Sequence, residues 1–198
     1  MTTDPAATHH RLLLDQLAAF LKESEQTLAD WDAYSDQHTD PDGWPHDEIT
    51  YGLRAGRRDA DTWRSFSRVR HAAKDLLAAA QAQLRTLPAS RIQSRWAWQL
   101  SALDDSLDQL AALQEQWLQR RDAVPSSAVP GTEAYDDALA ERNDEAWHHL
   151  HQWSLHGQSV LDIHAAAQDE AASRTSPVLP SRAPAAPVQS PKAPGARR

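Results

Sequence analysis

Apolar side chains recur every three or four residues through four long stretches of the chain, a spacing typical of amphipathic helices. The predicted helices run from about Thr8 to Tyr34, from about residue 46 to Leu87, from after Ser90 to Ala123, and from after Thr132 to about Ala172. Prolines, glycines and serines fill the segments between them, which indicates loops. No segment alternates apolar and polar positions over more than a few residues, so the sequence predicts no strand.

Each predicted helix carries one apolar stripe that a neighbouring helix can cover. The stripes comprise Leu14, Leu17, Leu21, Leu28 and Trp31; Trp63, Phe66, Val69, Ala73, Leu77, Ala80 and Leu84; Ile92, Trp96, Leu100, Leu103, Leu107, Leu110 and Trp117; and Leu139, Ala146, Leu150, Trp153, Val160 and Leu161. Ile49, Leu53 and Gly56 extend the second stripe towards the N-terminus, with a kink expected near Gly56. The pattern predicts an all-α, antiparallel up-down four-helix bundle over residues 1–173. A coiled-coil hairpin that dimerises is the alternative, because the stripes approach heptad spacing.

The last 25 residues differ in composition from the rest of the chain. Residues 174–198 contain six of the twelve prolines, no aromatic residue and few large apolar ones. Such a segment buries too little surface to offset the entropy of ordering, so we expect a disordered Pro/Ala/Arg-rich tail. Its Pro177–Arg182 stretch matches a polyproline docking pattern, although short patterns of this kind arise easily in Pro-rich tails.

Charge and composition restrict the cellular compartments and the classes of partner that fit this protein. The net charge is −8, but the tail has five basic residues and no acidic one, which leaves 15 basic and 28 acidic residues in the preceding 173. An acidic body repels a phosphate backbone, so nucleic acid is not the favoured partner. The chain has no cysteine, no signal-peptide pattern and no apolar run long enough for a bilayer, which favours a cytoplasmic protein that does not enter the membrane. The excess of Arg over Lys, with abundant Ala, indicates a bacterial genome of high GC content.

Known catalytic and metal-binding patterns are missing or incomplete. Glu145 and His148 have the Glu-x-x-His spacing of di-iron bundles, but a helical wheel places His148 on the solvent side and no second such pair exists. The acidic turn at Asp40–Gly43 lacks two essential calcium ligands of an EF-hand loop. Neither a Walker loop nor a Gly-x-Ser-x-Gly turn is present. We therefore expect no catalytic, cofactor or metal site, and a non-enzymatic protein.

One candidate surface combines aromatic and basic residues outside the stripes. Trp98 falls near 200° from Trp96 on the wheel of the third helix, with Arg91 and Arg95 along the same flank. Trp147 and Leu155 lie at the edge of the fourth stripe and beyond it. Tryptophan beside arginine is typical of binding surfaces, so these five residues are the predicted partner-binding set. Cover of Trp98 by the Ser35–Pro45 loop is the alternative explanation.

The second candidate surface is basic. Arg57, Arg64 and Arg68 share one face of the second helix, opposite Trp63 and Phe66. This face either binds an anionic partner or neutralises the acidic helices beside it. We expect an adaptor or regulator that binds another protein or a second copy of itself. A nucleic-acid-associated accessory protein that uses these arginines and the basic tail is the alternative.

Overall fold

A computed structural model of the chain describes residues 5–123 and 129–175. Within these ranges the regular elements are helices, apart from an isolated bridge between Thr39 and Pro45. The helices are α1 (Pro5–His38), α2 (Glu48–Arg70), α3 (Ala73–Thr86), α4 (Trp96–Ala123), α5 (Glu133–His156) and α6 (Gln158–Thr175), with a 3₁₀ turn at Ala89–Arg91. The prediction of an all-α fold is confirmed for these residues. The predicted tail lies outside them, except that α6 continues through Thr175.

The turn between α1 and α2 is built by local hydrogen bonds. The Asp40 carboxylate accepts from the backbone amides of Asp42 and Trp44, and Gly43 supplies the positive φ of 85° that the turn requires. Asp47 then caps α2, because its side chain accepts from the amides of Ile49 and Thr50. α2 therefore begins at Glu48, two residues after the predicted start near residue 46.

Two predicted helices are each divided in two, and a third begins late. The second breaks at His71 and Ala72, and Gly56 lies inside α2, which continues on both sides of it. The fourth breaks at Gly157. The third begins at Trp96, because the chain after Pro88 forms a 3₁₀ turn and Ile92 is extended with φ −85° and ψ 124°.

Two helix pairs set the framework. α1 and α2 run antiparallel, with the rings of Phe20 and Phe66 5.3 Å apart at one end and a 2.9 Å hydrogen bond between Ser35 and Tyr51 at the other. α4 and α5 are also antiparallel. Contacts along this pair join Trp98 to His156, Gln114 to Arg142 and Arg120 to Glu141. α3 packs against α4 and α6.

The core lies where the predicted stripes converge, with Trp153 completely buried against Phe66 at a ring separation of 5.2 Å. Trp63 and Trp96 are buried as well, as their positions on the wheel predict. The prediction is wrong for Ile49 and Leu53, which are 77% and 72% exposed, because α1 packs on a different side of the first turns of α2, where Tyr51 bonds Ser35. No helix in the described ranges has the length and hydropathy that crossing a membrane takes.

Candidate partner-binding groove

An open groove runs between α1 on one side and the α5–α6 junction on the other. Its volume is about 590 Å³. The lining residues are Ala18, Leu21, Lys22, Glu25, Leu28, Ala29 and Asp32 from α1, and Ser154, Leu155, Gln158 and Leu161 from α5 and α6. Both sets repeat at intervals of three or four residues, so each wall is one helix face. Two facing helices with a gap between them offer the site that a further helix fills.

Leucines form the floor of this groove. Leu21 and Leu161 are half-buried and pack against the core, Leu28 is half-buried, and Leu155 is 53% exposed. Apolar side chains that line an open groove are a common feature of binding sites.

Gly157 brings the two walls together. A β-carbon added at this buried position would come within 2.9 Å of Leu21 Cδ2 and 2.6 Å of the Trp153 carbonyl oxygen. A β-carbon does not lie this close to another heavy atom, so a side chain at position 157 would displace the end of Leu21 and strain the last turn of α5. The same residue lies between the end of α5 at His156 and the start of α6 at Gln158.

The groove continues towards the N-terminus of α1 and becomes more polar. An adjoining cavity of about 530 Å³ shares Ala18 and Leu161 with it. Its walls carry His10 and His164, whose rings are 5.1 Å apart. His164 Nδ1 also lies 3.0 Å from the Gln83 amide nitrogen on α3. Burial lowers the pKa of His164, with smaller contributions from His10 and Arg11.

The charges along the groove are mostly on α1. Glu25 and Asp32 lie at the end near α5, with Lys22 as the one basic residue of that cavity's lining. Arg11 and Asp15 lie at the other end. The end near α5 is thus acidic, and its α5–α6 wall is apolar or neutral.

The five residues predicted to bind a partner do not form one patch. Leu155 lines the groove. Trp98 is 61% exposed on α4, where its indole meets the His156 imidazole edge-on, 4.8 Å away, and α5 separates it from α1. The Ser35–Pro45 loop therefore does not cover it. Arg91 and Arg95 are exposed at the approach to α4.

Trp147 belongs to an internal cluster. The Arg58 guanidinium lies between two indoles, 3.8 Å from the ring centre of Trp147 and 4.4 Å from that of Trp31. Arg58 also bonds Asp59, whose side chain is only 2% exposed, at 2.6 Å. Burial raises the pKa of Asp59 and the arginine opposes that rise. The cluster joins α1, α2 and α5.

A second arginine is enclosed in the same manner. Arg142 is buried, with its guanidinium 4.1 Å from the Trp63 ring centre and 5.0 Å from that of Trp117. Its hydrogen bonds go to the amide oxygens of Asn143 and Gln114. Burial lowers the pKa of Arg142 to about 10, which leaves it protonated at neutral pH. Neither cluster can be seen in a local sequence pattern, because the two indoles lie 27 and 89 residues from Arg58, and the two around Arg142 come from α2 and α4.

The basic face of α2 is paired with carboxylates. Arg64 contacts Asp61 at 2.6 Å, and Arg57 contacts the same carboxylate at 3.7 Å. Arg68 bonds Glu23 of α1, and hydrogen bonds from Ser65 and Arg68 lower the pKa of that carboxyl. Of these three arginines, only Arg68 contacts a carboxylate of a neighbouring helix, whereas Arg57 and Arg64 contact one on α2 itself.

The histidines of α5 and α6 do not converge. His148 is exposed, and within the described ranges no group of three or more His, Cys, Asp or Glu side chains could hold a metal ion.

Comparison with known proteins does not indicate a function for this groove. No family model matches the chain. No curated protein and no solved structure matches it significantly either.

Proposed function

We propose that this chain is a non-enzymatic protein–protein interaction module that holds an amphipathic helix of a partner protein in the groove between α1 and α5–α6. The observation that carries the proposal is the row of leucines from three helices: Leu21 and Leu28 on α1, Leu155 on α5 and Leu161 on α6. All four line the open groove, and Leu21 and Leu161 also pack against the core.

The architecture fits this role. We infer that α2–α3 and α5–α6 each act as one interrupted rod, so that the chain forms an up-down four-helix bundle. The groove is then the place of a fifth helix. The lining of its two cavities extends along α1 from Ala7 to Asp32, about 38 Å at 1.5 Å per residue. A helix of about 25 residues would fill it.

The charges indicate the chemistry of the partner. Glu25 and Asp32 border the α5 end, and the body as a whole is acidic. The helix that fits has apolar side chains every three or four residues and basic residues near the end that meets Glu25 and Asp32.

Site-specific photo-crosslinking in the native host tests the proposal. The crosslinking amino acid replaces Leu155 in one variant and Leu12 in a control. Both leucines are exposed to the same degree, 53% and 52%, but Leu12 does not line the groove. We expect the Leu155 variant to capture one protein, through a segment with helical apolar spacing and a basic flank.

Three results would count against the proposal. Equal capture from Leu12 and Leu155 would show that the groove has no special affinity. Capture of a segment without apolar spacing would contradict a helix in the groove. A crosslink from Leu155 to residues 176–198 of the same chain would show that the groove is occupied by the tail.

Association with nucleic acid is the second candidate, and the ion pairs of α2 disfavour it. Arg57, Arg64 and Arg68 would have to leave Asp61 and Glu23 to reach a phosphate. Binding that falls steeply with salt and disappears on charge reversal of these three arginines would instead support this candidate.

A further inference from the structure

A small cleft lined by charged residues lies between α1 and α2. Its volume is about 120 Å³. The residues of α2 that line it include Arg54, Arg57, Arg58 and Asp61, and those of α1 include Asp30 and Trp31. The three arginines are three and four positions apart, so they share one face of the helix. No residue of this cleft also lines the groove or its adjoining cavity.

Two of the three arginines have unused hydrogen-bond donors. Among the described residues the Arg54 side chain forms no ion pair, and its guanidinium lies 5.5 Å from the centre of the Tyr34 ring. Arg57 Nε lies 3.7 Å from one Asp61 oxygen, which is too far for a hydrogen bond. The other Asp61 oxygen accepts from Arg64 at 2.6 Å. Arg57 can therefore turn towards a ligand while Asp61 keeps a cationic partner.

The third arginine forms a fixed wall of the cleft. The Arg58 side chain is only 13% exposed, and its Nε donates to the Asp59 carboxylate at 2.7 Å. Its guanidinium lies against the Trp31 ring, 4.4 Å from the ring centre. These contacts hold Arg58 in one orientation, so a ligand that reaches it does not have to order this side chain.

One carboxylate in the cleft opposes an anion. Asp30 accepts a 2.8 Å hydrogen bond from the Gln26 amide and forms no ion pair with a described residue. It is exposed, so water and salt screen its charge. Two guanidinium groups, those of Arg54 and Arg57, are available to a ligand on the other side of the balance. The cleft therefore keeps an excess of positive charge within an otherwise acidic body.

We propose that this cleft binds a phosphate group, either as the free ion or on a small phosphorylated molecule, through Arg54 and Arg57 with Arg58 beside them. Guanidinium groups match phosphate oxygens in geometry, and the charge strengthens each hydrogen bond. A tetrahedral phosphate directs its oxygens to several sides and can accept from more than one guanidinium. A planar carboxylate instead places both oxygens on a single arginine. The volume suits a group of this size, so the rest of a larger molecule lies outside the cleft.

A nuclear magnetic resonance titration of the full, isotope-labelled chain with inorganic phosphate tests the proposal. Chloride keeps the ionic strength constant, and the experiment runs at about pH 7, where a phosphoryl group carries about −1.5 to −2 charges. We expect saturable shifts in the backbone amides and arginine Nε–H groups of residues 54–58, with a Kd on the order of 1 mM. Signals of Arg70, an exposed arginine of α2 outside the cleft, should change little.

Substitutions on both helices separate a defined site from general attraction to basic residues. Arg54→Gln and Arg57→Gln should each weaken phosphate binding at least about fivefold. Arg70→Gln removes the same charge from the same helix and should leave binding nearly unchanged. Asp30→Asn should strengthen binding, because it removes the carboxylate that opposes the ligand. Circular dichroism checks that each variant remains helical.

Glycerol phosphate and acetate are the additional probes. Tighter binding of glycerol phosphate than of inorganic phosphate would assign the site to a phosphorylated molecule, and equal or weaker binding would assign it to the free ion. Acetate binding as tight as phosphate binding would overturn the proposal. So would the absence of saturable shifts up to about 20 mM phosphate, or equal losses in Arg54→Gln and Arg70→Gln. These outcomes leave the crosslink from Leu155 unaffected, so this proposal and the proposed function fail independently.

Discussion

Gly157 lies directly against Leu21, at the point where α5 ends and α6 begins. A β-carbon there would meet Leu21 Cδ2 at 2.9 Å and the Trp153 carbonyl oxygen at 2.6 Å. The Trp153 oxygen belongs to the backbone and cannot move aside as the end of the Leu21 side chain can, so Gly157→Ala strains the last turn of α5. We expect a loss of about 1–3 kcal/mol in the free energy of unfolding, measured by urea denaturation. Gly52→Ala, in open space, should instead stabilise the chain by up to about 1 kcal/mol. Equal effects of the two changes would contradict this account of the junction.

Arg58 holds α1, α2 and α5 together through Trp31, Trp147 and Asp59. Removal of its side chain leaves the buried Asp59 carboxylate without its partner. Arg58→Ala should therefore lower the free energy of unfolding by about 3–5 kcal/mol. The additional change Asp59→Asn should restore part of that loss, because the unpaired charge is gone. Arg64→Ala, which breaks only an exposed pair with Asp61, should change stability by about 0.5 kcal/mol or less. A large loss of stability in Arg64→Ala would show that exposed ion pairs contribute substantially to the free energy of unfolding.

The periodicity of apolar residues predicts which helix faces are buried. The spacing of Trp63, Trp96 and Trp153 predicts buried helix faces, and these residues are buried. The same periodicity does not predict where a helix is interrupted. Gly157 lies at the break between α5 and α6 with Leu21 of α1 against it, whereas Gly56, which looks similar in sequence, lies in open space within α2.

The candidate groove was predictable only in part. Leu155 stood out because it lies off the stripe of its helix, and it does line the groove. Leu21 and Leu28 belong to the apolar stripe of the first predicted helix, so the sequence places them in the core. Periodicity shows which face of a helix is apolar, but it does not show where neighbouring helices leave a gap. The enclosure of Arg58 by Trp31 and Trp147 depends on residues from three helices, which no local spacing connects.

Trp98 and Trp153 provide a matched pair for the difference between a surface and a core tryptophan. Trp98 is 61% exposed and its ring contact is with His156, whereas Trp153 is completely buried. Trp98→Ala should cost about 1 kcal/mol or less, because little surface returns to water. Trp153→Ala should cost about 3–5 kcal/mol. If chemical denaturation shows a large loss for Trp98→Ala, the indole is covered in solution.

Four histidines should make stability depend on pH. Burial is the main cause that lowers the pKa of His149, His151, His156 and His164. Their pKa in the folded chain lies below the unfolded value of about 6.5, so the unfolded chain binds more protons in the window below 6.5. The stability they contribute is present above that pH and is lost as the pH falls through their folded pKa values. The thermal midpoint should therefore fall from pH 7 to pH 5.5. His164→Gln should make this decline shallower, and an unchanged slope would show that His164 does not contribute.

The central claim is that the groove between α1 and α5–α6 holds a helix of a partner. A nuclear magnetic resonance titration of the isotope-labelled chain tests it most directly, with the segment captured from Leu155 added as a synthetic peptide. We expect saturable shifts in the amides around Leu21, Leu28, Leu155 and Leu161, helical signals from the peptide, and affinity at least about tenfold weaker for Leu28→Glu than for Leu12→Glu. Shifts centred on Arg57, Arg64 and Arg68, or equal affinity for the two variants, would contradict the account.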